Sequence, residues 1–388
     1  MANFAIVVGI NEYPQRAGQN TLDGAVDDAC DFADWVLDSA GGDVPRENLY
    51  FWTHPWPADP HPVPPVEWTH PWQQPPSALL RQYLQDPPEW EGDQGKVAPG
   101  PGRAPNAREI VDTATALGLE LMGAAMTGGG GTNRMFVFLA GHGIRTHEYQ
   151  QLNSQTCFVA GDFKGAGVMA RGLVPCESFR KNLLTGGFRE VFMFLDCCRV
   201  QDTLLSIPAE VICGGVNEEP TLPWSVGNAA ADGTRAFEVP GQAPRGAFSI
   251  ALLEGLRTHR EPGSNSLPAG TLETFVIERI QTKSRGQVPH FVYNPSGAPG
   301  PVIVTGAVAA AAAHPTLVLD LTGIDDGTQL RLLGANLAAI AGVGPIVAGD
   351  DLVEIPNLAP GLYVLERVGG GARLTPFRHP DPEPIRVG

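Results

Sequence analysis

Two uninterrupted apolar runs dominate the pattern of the chain, and both stop abruptly in residues that carry chemistry. Val191 to Leu195 (VFMFL) ends in Asp196, Cys197, Cys198 and Arg199, and Met135 to Ala140 (MFVFLA) ends in Gly141, His142 and Gly143. Continuous rather than alternating runs of this length predict strands buried on both faces of a parallel sheet. The polar clusters then fall at the carboxyl ends of those strands, where open α/β sheets hold ligands and chemistry. Two buried strands thus deliver a thiol and an imidazole to one edge, the minimum for a cysteine nucleophile with a histidine base. The separation, 198 − 142 = 56 residues, leaves room for one helical crossover between parallel strands.

The remaining pattern fits the same architecture. Phe4 to Ile10 (FAIVVGI) predicts a further buried strand, after which Asn11 to Pro14 open a loop. Ala25, Ala29, Phe32, Ala33, Val36 and Leu37 share one face of a helix over Leu22 to Leu37. Leu49 to Trp52 predicts a short strand, and a new helix starts near Asn106. Between them lies a proline-dense stretch of about 54–105, in which WTHPW occurs at Trp52 to Trp56 and again at Trp68 to Trp72. Its composition favours extended or polyproline II structure, with the tryptophans packing on the body or binding a partner. Further on, Thr156 to Asp162 reads as a hairpin, Leu173 to Leu184 as a helix beginning at Pro175, and Pro223 to Glu238 as a strand with its loop. Helices are expected over Arg245 to Leu256 and Leu272 to Thr282, and a last strand near Phe291 or Val302. An alanine-rich linker at 307–315 then separates a first domain, 1–306, from alternating runs within 316–388 that predict a small accessory β domain.

Charge and composition narrow the partners. A net charge of −16 argues against nucleic acid and anionic membranes and favours basic substrates. No apolar stretch reaches the length of a membrane span and the amino terminus has no signal-peptide character, so a soluble, cytoplasmic protein is expected. The six cysteines show no CxxC spacing, which argues against a zinc ribbon or a disulfide framework. His54, His61 and His70 are too loosely spaced for a metal site, and Gly128 to Gly131 lack the GK[ST] of a phosphate loop. No metal and no cofactor is expected.

FLAGHG followed by FLDCCR resembles the histidine and cysteine motifs of the caspase and metacaspase superfamily of cysteine peptidases. The metacaspase pattern, Asp-x-Cys, selects Cys198 over Cys197, and Arg199 matches the arginine that follows the nucleophile in caspases. LDGAVDDA after the first strand resembles the metacaspase segment L-x-G-C/A-x-N-D-A, and RGAFSIALLEGL resembles a helix of bacterial caspase-like proteins. The resemblance implies an α/β fold with a mostly parallel six-stranded sheet flanked by helices. It implies His142 and Cys198 as catalytic dyad, the N–H groups of Gly143 and Cys198 as oxyanion donors, and Asp28 and Asp196 as the acids of an S1 pocket for Arg or Lys. Ala25 and Ala140 depart from the Cys and Ser usual in that pocket. Read without the family, Asp27 and Asp28 are acids in a first helical turn, where they complement the helix dipole. IPNLAPGLYVLE (Ile355 to Glu366) resembles an edge of transthyretin-like or carboxypeptidase-regulatory β-sandwiches, which makes the accessory domain sandwich-like.

The resemblance therefore implies a cysteine endopeptidase acting after basic residues of protein substrates, with relatives tied to bacterial defence and regulated cell death. The alternative from another class is an inactive caspase-fold scaffold that binds through the Trp/Pro insertion or the carboxyl-terminal domain. A redox pair of Cys197 and Cys198 is a third reading, but it leaves the GHG motif unexplained. Between Thr146 and Glu190 the only acids are Glu148, Asp162, Glu177 and Glu190, too few and scattered for a calcium site. From Val200 to Thr234 there is no Lys or Arg, so a basic-specific enzyme cannot cut itself there. Lys96, Arg103, Lys164 and Arg171 are the candidate self-processing sites, and an activating protein or upstream protease is the other route to activation.

Overall fold

The structure is a computed structural model that describes residues 2–14, 21–57, 78–88, 104–128, 131–147, 154–164, 169–200, 208–213, 221–239, 244–261, 264–283, 286–295, 299–306, 317–322, 324–334, 340, 343–349, 352–355, 358, 361–368, 377–379 and 385–386. The described residues fall into two compact units, one of those up to Gly306 and one of those from Leu317 on.

The first unit opens with β1 (Ala2–Ile10), α1 (Ala25–Leu37) and β2 (Leu49–His54), followed by α2 (Ala78–Gln85) and α3 (Ala107–Met126). The histidine strand is β3 (Asn133–Ala140), after which come β4 (Gly143–His147), β5 (Ser154–Lys164), β6 (Arg171–Pro175) and α4 (Cys176–Thr185). The cysteine strand is β7 (Glu190–Asp196), and β8 (Trp224–Asn228), β9 (Glu238–Val239), β10 (Arg245–Gly246) and α5 (Ala247–Thr258) follow. The unit closes with β11 (Ser266–Pro268), α6 (Ala269–Lys283), β12 (His290–Asn294) and β13 (Val302–Thr305).

A six-stranded sheet in the order β12-β8-β7-β3-β1-β2 forms the frame. All pairings in it are parallel except that of β12 with β8 at one edge. The period of two along a strand decides which core each residue joins. On β7, Val191, Met193, Leu195 and then Cys197 face a core shared with Ile110 and Leu117 of α3 and Phe179 and Leu183 of α4. Phe192 and Phe194 face the opposite core, with Phe32 of α1 and Phe248 and Leu252 of α5. The apolar runs are continuous because both faces are covered by helices. Ring stacking of Phe32 on Phe138 at 4.6 Å and of Phe136 on Phe192 at 5.6 Å fixes the second core across neighbouring strands.

Three local readings of the sequence change. The proline-rich stretch contains a helix, α2, where Leu80 and Tyr83 are fully buried and the Tyr83 hydroxyl donates to the Leu49 carbonyl at 2.8 Å. The amphipathic ALLRQYLQ carries its own helical face, which average composition hides. Trp56 packs edge-on to Phe51 at 5.8 Å, while Trp68, Trp72, His61 and His70 lie outside the described residues. Thr156 to Asp162 is not a self-contained hairpin: β5 is one strand in the middle of the antiparallel sheet β4-β5-β6. The helix expected to begin at Pro175 has Pro175 as its N-cap and Cys176 as its first residue, while Leu173 and Val174 before it pair with Val159 and Phe158 in β6.

The second unit builds its own core from strands of alternating burial. It comprises β14 (Leu317–Asp320), β15 (Gln329–Gly334), β16 (Ile346–Val347), β17 (Leu352–Ile355), β18 (Gly361–Arg367), β19 (Phe377–His379) and β20 (Ile385–Arg386). These form two small sheets, β17-β14-β20 and β16-β15-β18-β19. Leu317, Leu319, Leu330, Leu332, Tyr363 and Leu365 form its core. The linker at 307–315 lies outside the described residues.

Candidate active site

Parallel pairing brings the two sequence motifs together. Ala140 at the end of β3 is in register with Asp196 at the end of β7, so His142 and Cys198 each stand two residues beyond one paired position. The N–H of Gly141 donates to the Asp196 carbonyl at 3.1 Å and continues the ladder into the turn. His142, Cys198, Asp28 and Asp196 line one small cavity of about 50 Å³, together with Ala140, Ala236, Phe237, Glu238 and Gly246.

Alternation past the strand end separates the vicinal cysteines. Cys197 continues the Leu195 face into the α3/α4 core and is buried, touching the cavity wall only from beneath the surface, whereas Cys198 lines the same cavity and is partly exposed. Burial pushes the Cys197 thiol far above its usual range. Cys198 is also raised, first by burial, with the Asp196 charge adding to it and a hydrogen bond to the Ala236 backbone and the Arg235 charge opposing it. Its Sγ donates to the Ala236 carbonyl at 3.8 Å, so the resting group is a thiol that needs a base. The His142 backbone N–H donates to the Tyr13 hydroxyl at 2.7 Å, and the Tyr13 ring lies 4.8 Å from the imidazole.

The backbone N–H groups of Gly143 and Cys198, the expected oxyanion donors, are left out of the neighbouring hydrogen-bond ladders. Val159 N–H donates to the His142 carbonyl at 2.9 Å, which makes Gly143 and Phe158 a non-hydrogen-bonded pair of the β4–β5 ladder. The Gly143 N–H therefore turns away from β5, in the direction taken by the Arg145 N–H, which donates to the Val200 carbonyl at 3.1 Å. A Cβ on Gly143 would stand 2.5 Å from the Cys198 carbonyl oxygen and 2.6 Å from Cys197 Sγ, so only glycine lets this backbone approach the cysteine turn. The Cys198 N–H donates to nothing among the described residues.

Asp28 on α1 and Asp196 on β7 converge on Gly246, whose Cβ, if present, would lie 2.8 Å from one carboxylate and 2.0 Å from the other. Burial raises Asp28 to about 8 against the pull of the Arg245 guanidinium, and raises Asp196 to about 6 against two hydrogen bonds from Ser249. Sequence reasoning missed Arg245, Ser249, Tyr13 and Glu238. Arg245 and Ser249 stand inside the RGAFSIALLEGL helix motif, and their role shows only when α5 is laid against α1 and β7.

The cysteine turn is clamped from behind. Arg199 is buried and bonds Thr156 Oγ1 at 2.8 Å, the Ala230 carbonyl at 3.3 Å and the carboxylate of Asp232, which also pairs with Arg145 at 2.7 Å. This ties the loop after β8, and with it Ala236, to the turn that carries Cys198. All six cysteines are free thiols, and among the described residues no group of three or more His, Cys, Asp or Glu is placed to hold a metal. No helix of the described residues is long and apolar enough to cross a membrane.

No protein-family model and no curated protein matches the chain. Among solved structures it is similar to a structural-genomics protein from Geobacter sulfurreducens at 13% identity and TM-score 0.43, over 79% of this chain and 98% of the other. At that score the likeness carries no argument for fold or activity.

Proposed function

We propose that the protein is a caspase-like cysteine endopeptidase that cleaves protein substrates after basic residues. The observation that carries the reading is the one cavity that joins His142, Cys198, Asp28 and Asp196, lined among the described residues by three carboxylates and by no Lys or Arg. The mostly parallel six-stranded sheet, with the GHG and DCC motifs on adjacent strand ends, supports it.

In the proposed mechanism His142 takes the Cys198 proton as Sγ attacks the scissile carbonyl carbon. The oxyanion is held by the N–H groups of Gly143 and Cys198, donors of a kind whose individual loss costs about 100- to 1000-fold in rate. Collapse breaks the C–N bond, and the imidazolium gives its proton to the leaving amine. Water, deprotonated by His142, then releases the carboxylic acid and restores the thiol. The negative cavity stabilises a P1 cation and repels an acidic one. Labelling with an electrophilic peptide bearing Lys or Arg at P1 tests the reading: mass addition on Cys198, lost in Cys198→Ala, is expected. A folded wild type that neither reacts nor cleaves would instead fit a binding scaffold.

A further inference from the structure

Resting on the peptidase reading, we propose that Asp196, and not Asp28, reads the P1 cation, and that Arg245 and Ser249 limit it to single-point recognition, so that the enzyme cuts after Lys in preference to Arg.

Asp28 is already satisfied from within the chain. Arg245 Nε donates to its Oδ1 at 2.6 Å and the Gly246 N–H to its Oδ2 at 2.8 Å. The other end of the same guanidinium holds Asp31 Oδ2 at 2.6 Å. Displacing Arg245 with a substrate cation would leave a buried guanidinium without its partners, a strongly unfavourable state. Arg245 therefore stays, and both Asp28 oxygens remain occupied from within the chain, while Arg245 itself does not line the cavity.

Asp196 is engaged on one side only. Its Oδ2 accepts both the Ser249 hydroxyl at 2.5 Å and the Ser249 N–H at 3.2 Å. Among the described residues no donor reaches Oδ1, and the residue faces the cavity. At the mouth, Glu238 adds negative potential but is fixed, its Oε1 accepting the N–H groups of Asp23 at 3.2 Å and Gly24 at 2.8 Å. A guanidinium is a planar fork that binds best to two coplanar acceptors, whereas an ammonium is a compact point charge content with one strong acceptor. With Oδ2 occupied, Asp196 offers one oxygen in place of a coplanar pair, which suits the ammonium.

The test is a matched pair of fluorogenic peptides differing only in P1, Lys against Arg, with the corresponding chloromethyl ketones read by intact mass. Wild type is expected to favour Lys by about tenfold in kcat/KM, the scale of one charge-assisted hydrogen bond. Ser249→Ala relieves Oδ2 of its shorter donor and should bring the ratio down toward unity by raising the Arg rate. Arg245→Gln opens Asp28 and should move the ratio the same way; should it fail to fold, Ser249→Ala decides alone, since it removes one hydroxyl. An Arg preference in wild type, or an unmoved ratio in Ser249→Ala, overturns the proposal. Cleavage only after neutral or acidic residues overturns it too while leaving the dyad standing. No cleavage and no labelling on any probe brings down the peptidase reading and this inference with it.

Discussion

The hydroxyl of Tyr13 accepts the backbone N–H of His142 at 2.7 Å and its ring lies against the imidazole, so the loop after β1 sets the position of the proposed base. Gly141 makes the approach possible, since a Cβ there would meet the Tyr13 oxygen at 2.6 Å. Tyr13→Phe removes one neutral hydrogen bond of roughly 1 kcal/mol and keeps the ring. We expect kcat to fall about fivefold with KM unchanged, by steady-state kinetics on a P1-Lys peptide. An unchanged kcat would show that Tyr13 only packs.

The parity of β7 predicts unequal effects for the two cysteines. Cys198→Ala should abolish turnover, whereas Cys197→Ala should retain most of it and lower the melting temperature, because it trims a buried side chain of the α3/α4 core. His142→Ala should be as damaging as Cys198→Ala, and the double mutant scarcely worse, since the dyad acts as a unit. Equal loss of activity in the two cysteine variants, with both folded, would defeat the assignment.

What was legible in the sequence follows from periodicity. The β3 and β7 runs announced buried parallel strands because both faces are covered, and their abrupt ends placed His142 and Cys198 on one edge. Asp28 and Asp196 were legible only through the family resemblance, and the structure brings them to the same cavity. The helix α2 was hidden by the prolines around it, and β4 by its five-residue length and polar content. Arg245 could not be read at all: its partners Asp28 and Asp31 lie 217 and 214 residues away, a pairing that no local pattern encodes.

The titration of Asp196 gives a pH prediction. Burial lifts its carboxyl to about 6, so below that pH Asp196 is protonated and has lost the charge that attracts P1, and above it that charge is present. The ratio of labelling rates for a Lys probe over its norleucine analogue cancels the common titration of the Cys–His pair. That ratio should climb as pH rises through about 6 and be flat and low in Asp196→Asn. A ratio independent of pH in wild type would remove Asp196 from P1 recognition.

Self-processing offers the last test, because the two specificities lead to different cuts. Val200 to Thr234 contains no Lys or Arg, and Arg199 just before it is buried in its clamp with Thr156, Ala230 and Asp232. Lys164 and Arg171 face each other across the end of the β5–β6 ladder, and both are exposed. Exposed loop ends are where nicking is tolerated. Lys96 and Arg103 lie outside the described residues. Intact-mass analysis of purified wild type beside Cys198→Ala should therefore show a Cys198-dependent break after Lys164 or Lys96 in preference to Arg171 or Arg103, and none between Val200 and Thr234. Lys164→Arg should slow the Lys164 cut about tenfold if one carboxylate oxygen reads the P1 cation. A Cys198-dependent break inside 200–234 would overturn basic specificity itself, since no residue there could occupy an acidic pocket as a cation.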